Sequence, residues 1–254
     1  MSAGRARLSA LVTVHNEERQ LGECLAGLRF ADEIVVALDR CSDRSGEIAI
    51  QAGARILDGA WATEGERRNA GIAACSGEWV LEVDADERVS ADLAAEIRAA
   101  VDASSFDRHL IPVDNYIGAR LVRYGWGASF GKSAYPGLFR KGSKVWGRGR
   151  VHPRLELTGR EGPPLQHRLT HLVDRNISDM LRRLDSYTTA RARDLREWGD
   201  PDPTWKYVRR IFSRFYKCYV RRHGHREGGW GVLIALMAGL YPILSHLKAK
   251  LEKE

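Results

Sequence analysis

The chain has 254 residues, of which 44% are hydrophobic, and it carries a formal net charge of +7. This length fits one large domain with a helical extension, and the composition supplies a sizeable core, which argues against a disordered chain or a disulfide-stapled scaffold. The four cysteines lie far apart and form no CxxC pair, which argues against a zinc site and favours reduced thiols in a cytosolic compartment.

Short apolar runs alternate with helical patterns through the first hundred residues. The runs at 8–14, 34–38 and 79–83 are aliphatic or β-branched and bounded by polar residues, which predicts buried strands, with a shorter strand at 55–57. Helices are predicted between them, at 17–28, 45–52 and 66–75, and a fourth after the N-cap Ser90. This alternation, with short connections, predicts a mostly parallel sheet covered by helices on both faces.

Beyond residue 105 the alternation stops. Residues 110–113 predict another strand, and 118–149 are rich in glycine, arginine and aromatic residues with little periodicity, which predicts a long loop region that carries binding groups. From Ile177 the helical period returns, and after a proline-containing break at 200–203 it continues in a basic, aromatic helix. We therefore predict an α/β domain over 1–175 and a helical region over 176–254.

Two carboxylates directly follow the third long strand, at Asp84 and Asp86. In an α/β fold the carboxyl ends of the strands are where ligands bind. Carboxylates at this spacing offer hard oxygen ligands to Mg²⁺ or Mn²⁺, which completes its octahedron with phosphate oxygens. The simpler alternative is an acidic turn that only leads into the next helix.

The first two strands also end in polar side chains. Asn16 and Glu17 follow the first strand, and Asp39 and Asp43 follow the second. At one rim of the sheet these groups can hold the base and ribose of a nucleotide. Capping and turn formation explain Asn16 and Asp43 equally well, but they do not explain Asp39, which terminates an apolar strand.

Arg68 and Asn69 lie near the start of the third predicted helix. A helix N-terminus and guanidinium groups together favour a bound phosphate, so Arg68 and Asn69 are predicted to bind the nucleotide, although an exposed helix start with arginine is the simpler alternative. The chain has no GxGxxG and no Walker pattern, which argues against NAD-dependent enzymes and P-loop NTPases.

The segment from Trp205 to Arg226 contains eight Lys/Arg and no acid. Such a segment can meet nucleic acid, an anionic membrane or an acidic substrate, or it can be a solvated helix face. Its helix also carries an apolar stripe, which predicts a helix lying in the headgroup plane of an anionic membrane. The stripe comprises Trp205, Val208, Ile211, Phe212, Phe215 and Tyr219. The uncharged segment 228–247 is interrupted by glycine and proline, so we expect an amphipathic or re-entrant element rather than a span.

Four segments of the first half resemble the family-2 glycosyltransferases of the GT-A fold. They are TVHNEE at 13–18, VALDRCSDRS at 36–45, ERRNAGI at 66–72 and GEWVLEVDADE at 77–87. The second half is similar to bacterial lipopolysaccharide core glucosyltransferases, in NYIGARL at 115–121, GLFRKG at 137–142, GRVH at 149–152 and the RFYKCYVRRHG segment. The resemblance implies an α/β fold of GT-A type, with a nucleotide-sugar half at about 8–105, an acceptor half at about 106–175 and a C-terminal helical extension.

The resemblance further implies an inverting hexosyltransferase that uses a nucleotide diphosphate sugar, UDP-glucose above all, and a glycolipid acceptor of the lipopolysaccharide core. It implies Mn²⁺ or Mg²⁺ held by Asp84, Asp86 and His152, although His152 has a purely structural role as its alternative. Asp86 is then a catalytic residue, and Asp84 also lies near the base and ribose of the nucleotide. Related sequences often read Val-His-Glu where this chain has Pro153, so the catalytic base is expected elsewhere, at Glu156.

The implied place of action is the cytoplasmic face of the plasma membrane. Two other readings stay open: a transferase onto a polyprenyl phosphate or a protein side chain, and a basic nucleic-acid-binding protein. The latter gives no reason for three acid-tipped strands, so no nucleic-acid partner is expected.

Overall fold

The computed structural model describes residues 7–127, 131–151, 153–199 and 202–252. The chain divides into two compact units. The first comprises Met1–Val113, Ala134–Gly149 and Pro153–His171, and the second comprises Asp114–Ser133, Arg150–His152 and Leu172–Glu254. The functional division at residue 175 stays a prediction.

The described part of the chain contains eleven strands and seven α-helices. In chain order they are β1 (Leu8–Val14), α1 (Leu21–Ala26), β2 (Glu33–Asp39), α2 (Ser45–Gln51), β3 (Arg55–Gly59), α3 (Glu64–Ala74), β4 (Trp79–Asp84), β5 (Glu87–Arg88), α4 (Ala91–Ala103), β6 (Arg108–Ile117), β7 (Arg120–Val122), β8 (Ala134–Arg140), β9 (Lys144–Trp146), β10 (Leu155–Leu157), β11 (Leu169–Asp174), α5 (Ile177–Trp198), α6 (Thr204–Tyr216) and α7 (Gly229–Leu251). A π-helical turn (Lys217–Arg221) and a 3₁₀ turn (Gly224–Glu227) lie between α6 and α7.

The main sheet has the strand order β3-β2-β1-β4-β8-β6-β11-β5, with β7 paired to β6. β1 pairs in parallel with β2 and β4, and β2 pairs in parallel with β3. β8 runs antiparallel to both β4 and β6, and β5 is antiparallel to β11. The α/β architecture is confirmed, but the sheet is mixed rather than mostly parallel, since the later strands return without the crossover helices that parallel pairing needs.

The helices of the first unit begin where the sequence supplies caps. Ser90 Oγ accepts a hydrogen bond from Leu93 N at the start of α4, as predicted, and Thr63 Oγ1 accepts one from Glu66 N at the start of α3. All seven residues of β1 are buried, as expected for a parallel strand with other layers on both faces.

The prediction of an irregular loop over 118–149 was wrong in part. This stretch contains β8 and β9, and β8 is paired on both edges, with β4 and with β6. Pro136 and Gly137 within β8 hid this strand from a periodicity argument, because both residues are depleted in strand interiors. Tertiary pairing therefore overrides local preference here.

In the second unit α7 packs against α5 and α6. At the crossing of α6 and α7, a Cβ on Gly239 would lie 2.9 Å from the carbonyl oxygen of Ile211, so only glycine permits this approach. Among the described residues α7 is the one helix long and apolar enough to cross a membrane, and 61% of its most apolar window is buried inside the protein.

The apolar residues of α6 divide between two faces. Trp205, Phe212 and Tyr216 are 62%, 71% and 56% exposed. Phe215 and Tyr219, by contrast, pack against the buried cluster of the second unit. The predicted single stripe is thus partly core and partly exposed surface.

Candidate active site

A cluster of carboxylates lies at the carboxyl ends of β1, β2 and β4. Because these three strands are parallel neighbours, the residues that follow them meet at one edge of the sheet. Burial, and next the negative charges of Asp86 and Asp84, raise the pKa of Glu17 to about 7. Asp43 adds to this effect. The structure therefore brings together four of the predicted site residues.

Hydrogen bonds tie the loops after β1 and β2 to each other. Asn16 has a left-handed backbone (φ 59°), and its Oδ1 accepts from the backbone N of Ser42 at 2.8 Å. Asp43 Oδ2 accepts from Glu18 N at 2.9 Å, and Ser45 Oγ accepts from Glu17 N at 3.0 Å. Asn16 and Asp43 thus fix the rim of the site, and Asn16 does not cap α1, which begins at Leu21 without a side-chain cap.

Asp39 is buried at the end of β2, and two arginine side chains contact its carboxylate. Arg40 donates to both of its oxygens, at 2.8 and 2.9 Å, although the Arg40 side chain is 57% exposed. Arg67 Nη1 lies 3.7 Å from Asp39 Oδ2, and Arg67 Nε is buried without a hydrogen-bond partner among the described residues. Arg67 was not among the predicted site residues, whereas the neighbouring Arg68 was.

Arg68 binds three carboxylates. Its Nη1 donates to Glu82 Oε1 at 2.6 Å, and its Nη2 donates to Asp84 Oδ1 at 2.9 Å. Its Nε donates to Glu64 Oε1 at 2.8 Å. The Arg68 guanidinium therefore links α3 to β4 through hydrogen bonds, whereas it was predicted to bind a phosphate.

A buried ion pair that was not predicted from the sequence involves the same glutamate, Glu82. Lys144 Nζ lies 2.7 Å from Glu82 Oε2, and the two side chains are 0% and 2% exposed. Lys144 Nζ also lies 4.7 Å from the ring centroids of both Phe139 and Trp146. Burial opposes the ionisation of Glu82, but the charges of Lys144 and Arg68 hold its pKa below the ordinary value. The ion pair could have been predicted from Glu82, because a glutamate inside an apolar strand requires a buried cation.

Asn69 holds β9 in place. Its Nδ2 donates to the carbonyl oxygen of Trp146 at 2.7 Å, and its Oδ1 accepts from Trp146 N at 2.9 Å. Both ends of this amide are therefore used by one backbone residue. Asn69 was predicted to bind the nucleotide, and the structure gives it a positioning role that brings Trp146 and Lys144 to Glu82.

Asp86 contacts a histidine that was not predicted to be a site residue. Asp86 Oδ2 lies 3.3 Å from His171 Nε2, and the side chains are 30% and 11% exposed. His171 is paired with Glu87 across β11 and β5, and Glu87 Oε2 accepts from Asp84 N at 2.8 Å. The acidic turn is thus held at both ends.

Carboxylate oxygen and imidazole nitrogen form a donor set that fits Mn²⁺ and, through the oxygen, Mg²⁺. The described residues contain no cluster of three or more such ligands. Two protein ligands suit these ions, because the remaining positions go to water and phosphate oxygens. The residues present therefore fit a divalent ion at Asp86 and His171, while the predicted ligand His152 lies outside the described residues.

Glu156, the predicted base, lies on β10, where it pairs with Val145 of β9. Directly opposed residues of an antiparallel pair share a face, and Val145 is exposed while Lys144 is buried. Glu156 is therefore on the solvent face of this hairpin, opposite to the face that meets Glu82. The structure does not bring it to the acidic cluster.

The sheet, its acidic edge and the comparisons with known proteins define the class of protein. The model for glycosyl transferase family 2 matches residues 9–135. The chain belongs to this family and is a glycosyltransferase with a GT-A fold.

Particular relatives refine this assignment. The chain is 24% identical to the lipopolysaccharide core biosynthesis glycosyltransferase LpsC of Rhizobium meliloti, in an alignment covering 95% of this chain and 91% of LpsC. It is 36% identical over 104 residues to a TPR repeat-containing protein of Synechococcus elongatus, which covers 40% of this chain and about a quarter (26%) of that protein's length. The crystal structure of S. aureus TarS 1–349 superposes with a TM-score of 0.50 at 16% identity, covering 88% of this chain and 75% of TarS.

Proposed function

We propose that the protein transfers a hexose from a nucleotide diphosphate sugar, with UDP-glucose as donor, to a hydroxyl group of a lipopolysaccharide core acceptor. The observation that carries the proposal is the carboxylate cluster at the ends of three parallel strands in a family-2 glycosyltransferase. The similarity to LpsC over nearly the whole of both chains supports the acceptor class.

Roles follow from position in the cluster. Asp39 and Glu17, at the ends of β2 and β1, face the base and ribose of the nucleotide. A divalent ion held by Asp86 and His171, with Asp84 beside it, would neutralise charge on the departing diphosphate. A single displacement by the acceptor hydroxyl inverts the sugar, and Glu156 stays the sequence-based prediction for the base that takes its proton.

Thermal stabilisation by UDP and Mn²⁺ tests the donor site. Wild-type protein should gain in melting temperature when both are present, because a ligand that binds only the folded state stabilises it. Asp86→Asn should remove this gain and abolish transfer while leaving the ligand-free melting temperature close to that of the wild type. Asp58→Asn, an exposed aspartate on β3, is the matched control. An Asp86→Asn protein with full Mn²⁺-dependent stabilisation would refute the metal assignment.

The acceptor is tested by product analysis. Core oligosaccharide, polyprenyl phosphate and a peptide mixture are each incubated with UDP-glucose and Mn²⁺. We expect glucose on the core oligosaccharide alone, with the β-configuration that inversion of an α-linked donor requires. Transfer to polyprenyl phosphate or peptide instead would establish one of the two alternative acceptors.

The exposed face of α6 supports attachment to the cytoplasmic face of an anionic membrane. Trp205, Val208, Phe212 and Tyr216 follow one another at helical spacing and are all exposed. Arg209 and Lys217 flank them and have no carboxylate partner in the part of the chain that the structure describes. A helix with apolar residues outward and cations beside them lies in the headgroup plane, where each cation contributes ~1 kcal/mol.

Vesicle flotation tests the attachment. Binding should require phosphatidylglycerol in phosphatidylcholine vesicles and weaken with salt. The double substitution Trp205→Ser/Phe212→Ser should abolish it, and Ile50→Ser, which removes an equally exposed apolar side chain (66%) from α2, should not. These variants are preferable to truncation before Trp205, which would remove α7 and with it much of the second unit's core. Equal binding to neutral vesicles would contradict the proposal, as would binding to neither kind.

A further inference from the structure

A short loop of the second unit is fixed against the turns that precede α7. Glu227 is buried, and its Oε1 accepts from the backbone N of Arg123 at 2.8 Å and of Tyr124 at 3.0 Å. Gly125 N donates to the carbonyl oxygen of Arg222 at 2.9 Å. Two separate segments of the chain are thereby joined by the Glu227 carboxylate and by one backbone hydrogen bond, and the side chains of Arg123 and Tyr124 are exposed.

Glycines make this close packing possible. A Cβ on Gly125 would lie 3.2 Å from Gly224 Cα, and a Cβ on Gly224 would lie 2.8 Å from the carbonyl oxygen of Cys218. A Cβ on Gly231 would lie only 1.8 Å from the carbonyl oxygen of Gly224. Gly224 and Gly231 therefore permit close backbone contact between the turns and the start of α7, whereas a Cβ on Gly228 or Gly229 would meet nothing within 4 Å.

This surface presents an aromatic ring among cations. The Arg226 guanidinium lies 5.2 Å from the centroid of the Tyr124 ring. His223 meets the same ring edge-on, with centroids 6.2 Å apart, and His225 lies 5.9 Å from His223. His223 has a left-handed backbone (φ 59°), a conformation that is uncommon for residues with a side chain but that histidine adopts more often than most.

The charge of this surface is strongly positive. Arg221 and Arg226 are exposed and have no carboxylate partner among the residues described. Arg120 and Arg123 are also exposed, but each forms an ion pair, 3.9 Å from Glu227 Oε2 and 3.6 Å from Asp114 Oδ2 respectively, so the uncompensated charge is that of Arg221 and Arg226. Positive groups that the protein does not neutralise itself attract an anionic partner.

We propose that Tyr124, Arg226 and His223 form a binding site for an anionic sugar, one that bears a phosphate or carboxylate group, in the acceptor glycan. A sugar ring packs on an aromatic face, and guanidinium groups bind phosphate and carboxylate through paired hydrogen bonds. The fixed loop geometry supplies preorganisation, which lowers the entropy cost of binding. This inference rests on the proposed function, since it names the acceptor class of that same transfer.

An acceptor sugar fits this binding site better than a lipid headgroup does, because the aromatic ring of Tyr124 is part of the site. Headgroup phosphates need cations alone, and the exposed face of α6 already carries cations beside apolar side chains that enter a bilayer. Tyr124 is 37% exposed, with the Arg226 guanidinium over its ring and His223 edge-on to it, so an anionic sugar that contacts the exposed part of the ring also meets a cation.

Saturation-transfer NMR on the full chain tests the site with glucose 6-phosphate, glucuronate and glucose. The two charged sugars should bind at concentrations roughly tenfold or more below that of glucose, because one charge-assisted hydrogen bond is worth at least this factor. Tyr124→Ala and Arg226→Gln should each remove the difference. Tyr124→Phe keeps the ring and should retain it, as should Lys250→Gln, which removes another exposed cation of the same unit.

Two further measurements separate this inference from the proposed function. Hydrolysis of UDP-glucose with Mn²⁺ should be unchanged in Tyr124→Ala and Arg226→Gln, while transfer to core oligosaccharide should fall at least tenfold. Equal binding of charged and neutral sugars, or wild-type transfer by both variants, would overturn the inference and leave the donor chemistry intact. Loss of vesicle binding in Arg226→Gln with sugar binding unchanged would also overturn it, by assigning the cations to headgroups.

Discussion

Lys144 offers the sharpest test of how the active-site edge is held. Its side chain is fully buried, and its Nζ lies 2.7 Å from Glu82 Oε2. The other oxygen of Glu82 accepts from Arg68, which also binds Asp84. We expect Lys144→Met to leave a buried carboxylate with too little compensating charge and to destabilise the first unit.

The magnitude follows from burial. Removing one partner of a fully buried pair costs about 3–5 kcal/mol, whereas replacing both partners with neutral side chains of similar volume is often neutral. Against a total stability of roughly 5–15 kcal/mol, the single variant loses a large fraction. The double variant Glu82→Gln/Lys144→Met should recover most of the loss, so the two single losses together should exceed the loss in the double variant.

Urea unfolding of the four proteins, wild type, each single variant and the double variant, measures this cycle. Lys250→Met is the control, since Lys250 is exposed and its replacement should change stability by less than about 0.5 kcal/mol. The loss of unfolding free energy caused by Lys144→Met should also become smaller as the pH is lowered. The pair depresses the pKa of Glu82 below 4.5, so its stabilisation is present above that pH and is lost as Glu82 protonates. Additive single losses, or a loss in Lys144→Met that grows with acidification, would refute the reasoning.

Three further substitutions test the site residues. Asp39→Ala should raise KM for the donor and spare kcat, because a contact made equally in ground and transition states affects binding alone; a loss confined to kcat would move Asp39 into a chemical role. Glu17→Gln should gain in melting temperature over the wild type as pH rises from 4.5 to about 7, because ionisation of Glu17 at its raised pKa opposes folding; an equal difference at pH 4 and pH 8 would contradict the assigned pKa. Glu156→Gln should lower the transfer rate by a factor of ~10² or more if Glu156 is the base, and wild-type activity would pass that role to another carboxylate.

The first hundred residues were predictable because their signals are local. Each buried strand is a continuous apolar run, and a polar residue or a cap follows it, as at Asp39 and Ser90. Parallel pairing then requires the strand ends to meet at one edge, so the grouping of Glu17, Asp84 and Asp86 could be expected from order along the chain alone.

The partners of these acids could not be predicted, because they come from distant segments with no local signature. Lys144 is 62 residues from Glu82, and His171 is 85 residues from Asp86. A lysine in a polar, glycine-rich stretch gives no indication of complete burial. His171 lies on β11, a strand that the sequence analysis did not predict. For the same reason Arg68 and Asn69 were assigned to a ligand, although the structure uses their hydrogen-bonding groups internally.

The charge balance of the active-site edge bears directly on the proposed metal. Burial, and next the charges of Asp86, Asp84 and Asp43, raise the pKa of Glu17 to about 7, so several carboxylates lie close together at this edge. The guanidinium of Arg68 already serves three carboxylates, and a diphosphate alone would be repelled there. A divalent ion at Asp86 and His171 would reverse the balance, because it would add two positive charges beside the proposed diphosphate. UDP should therefore raise the melting temperature only when Mn²⁺ or Mg²⁺ is present, and an equal gain without the ion would mean that this edge does not receive the diphosphate.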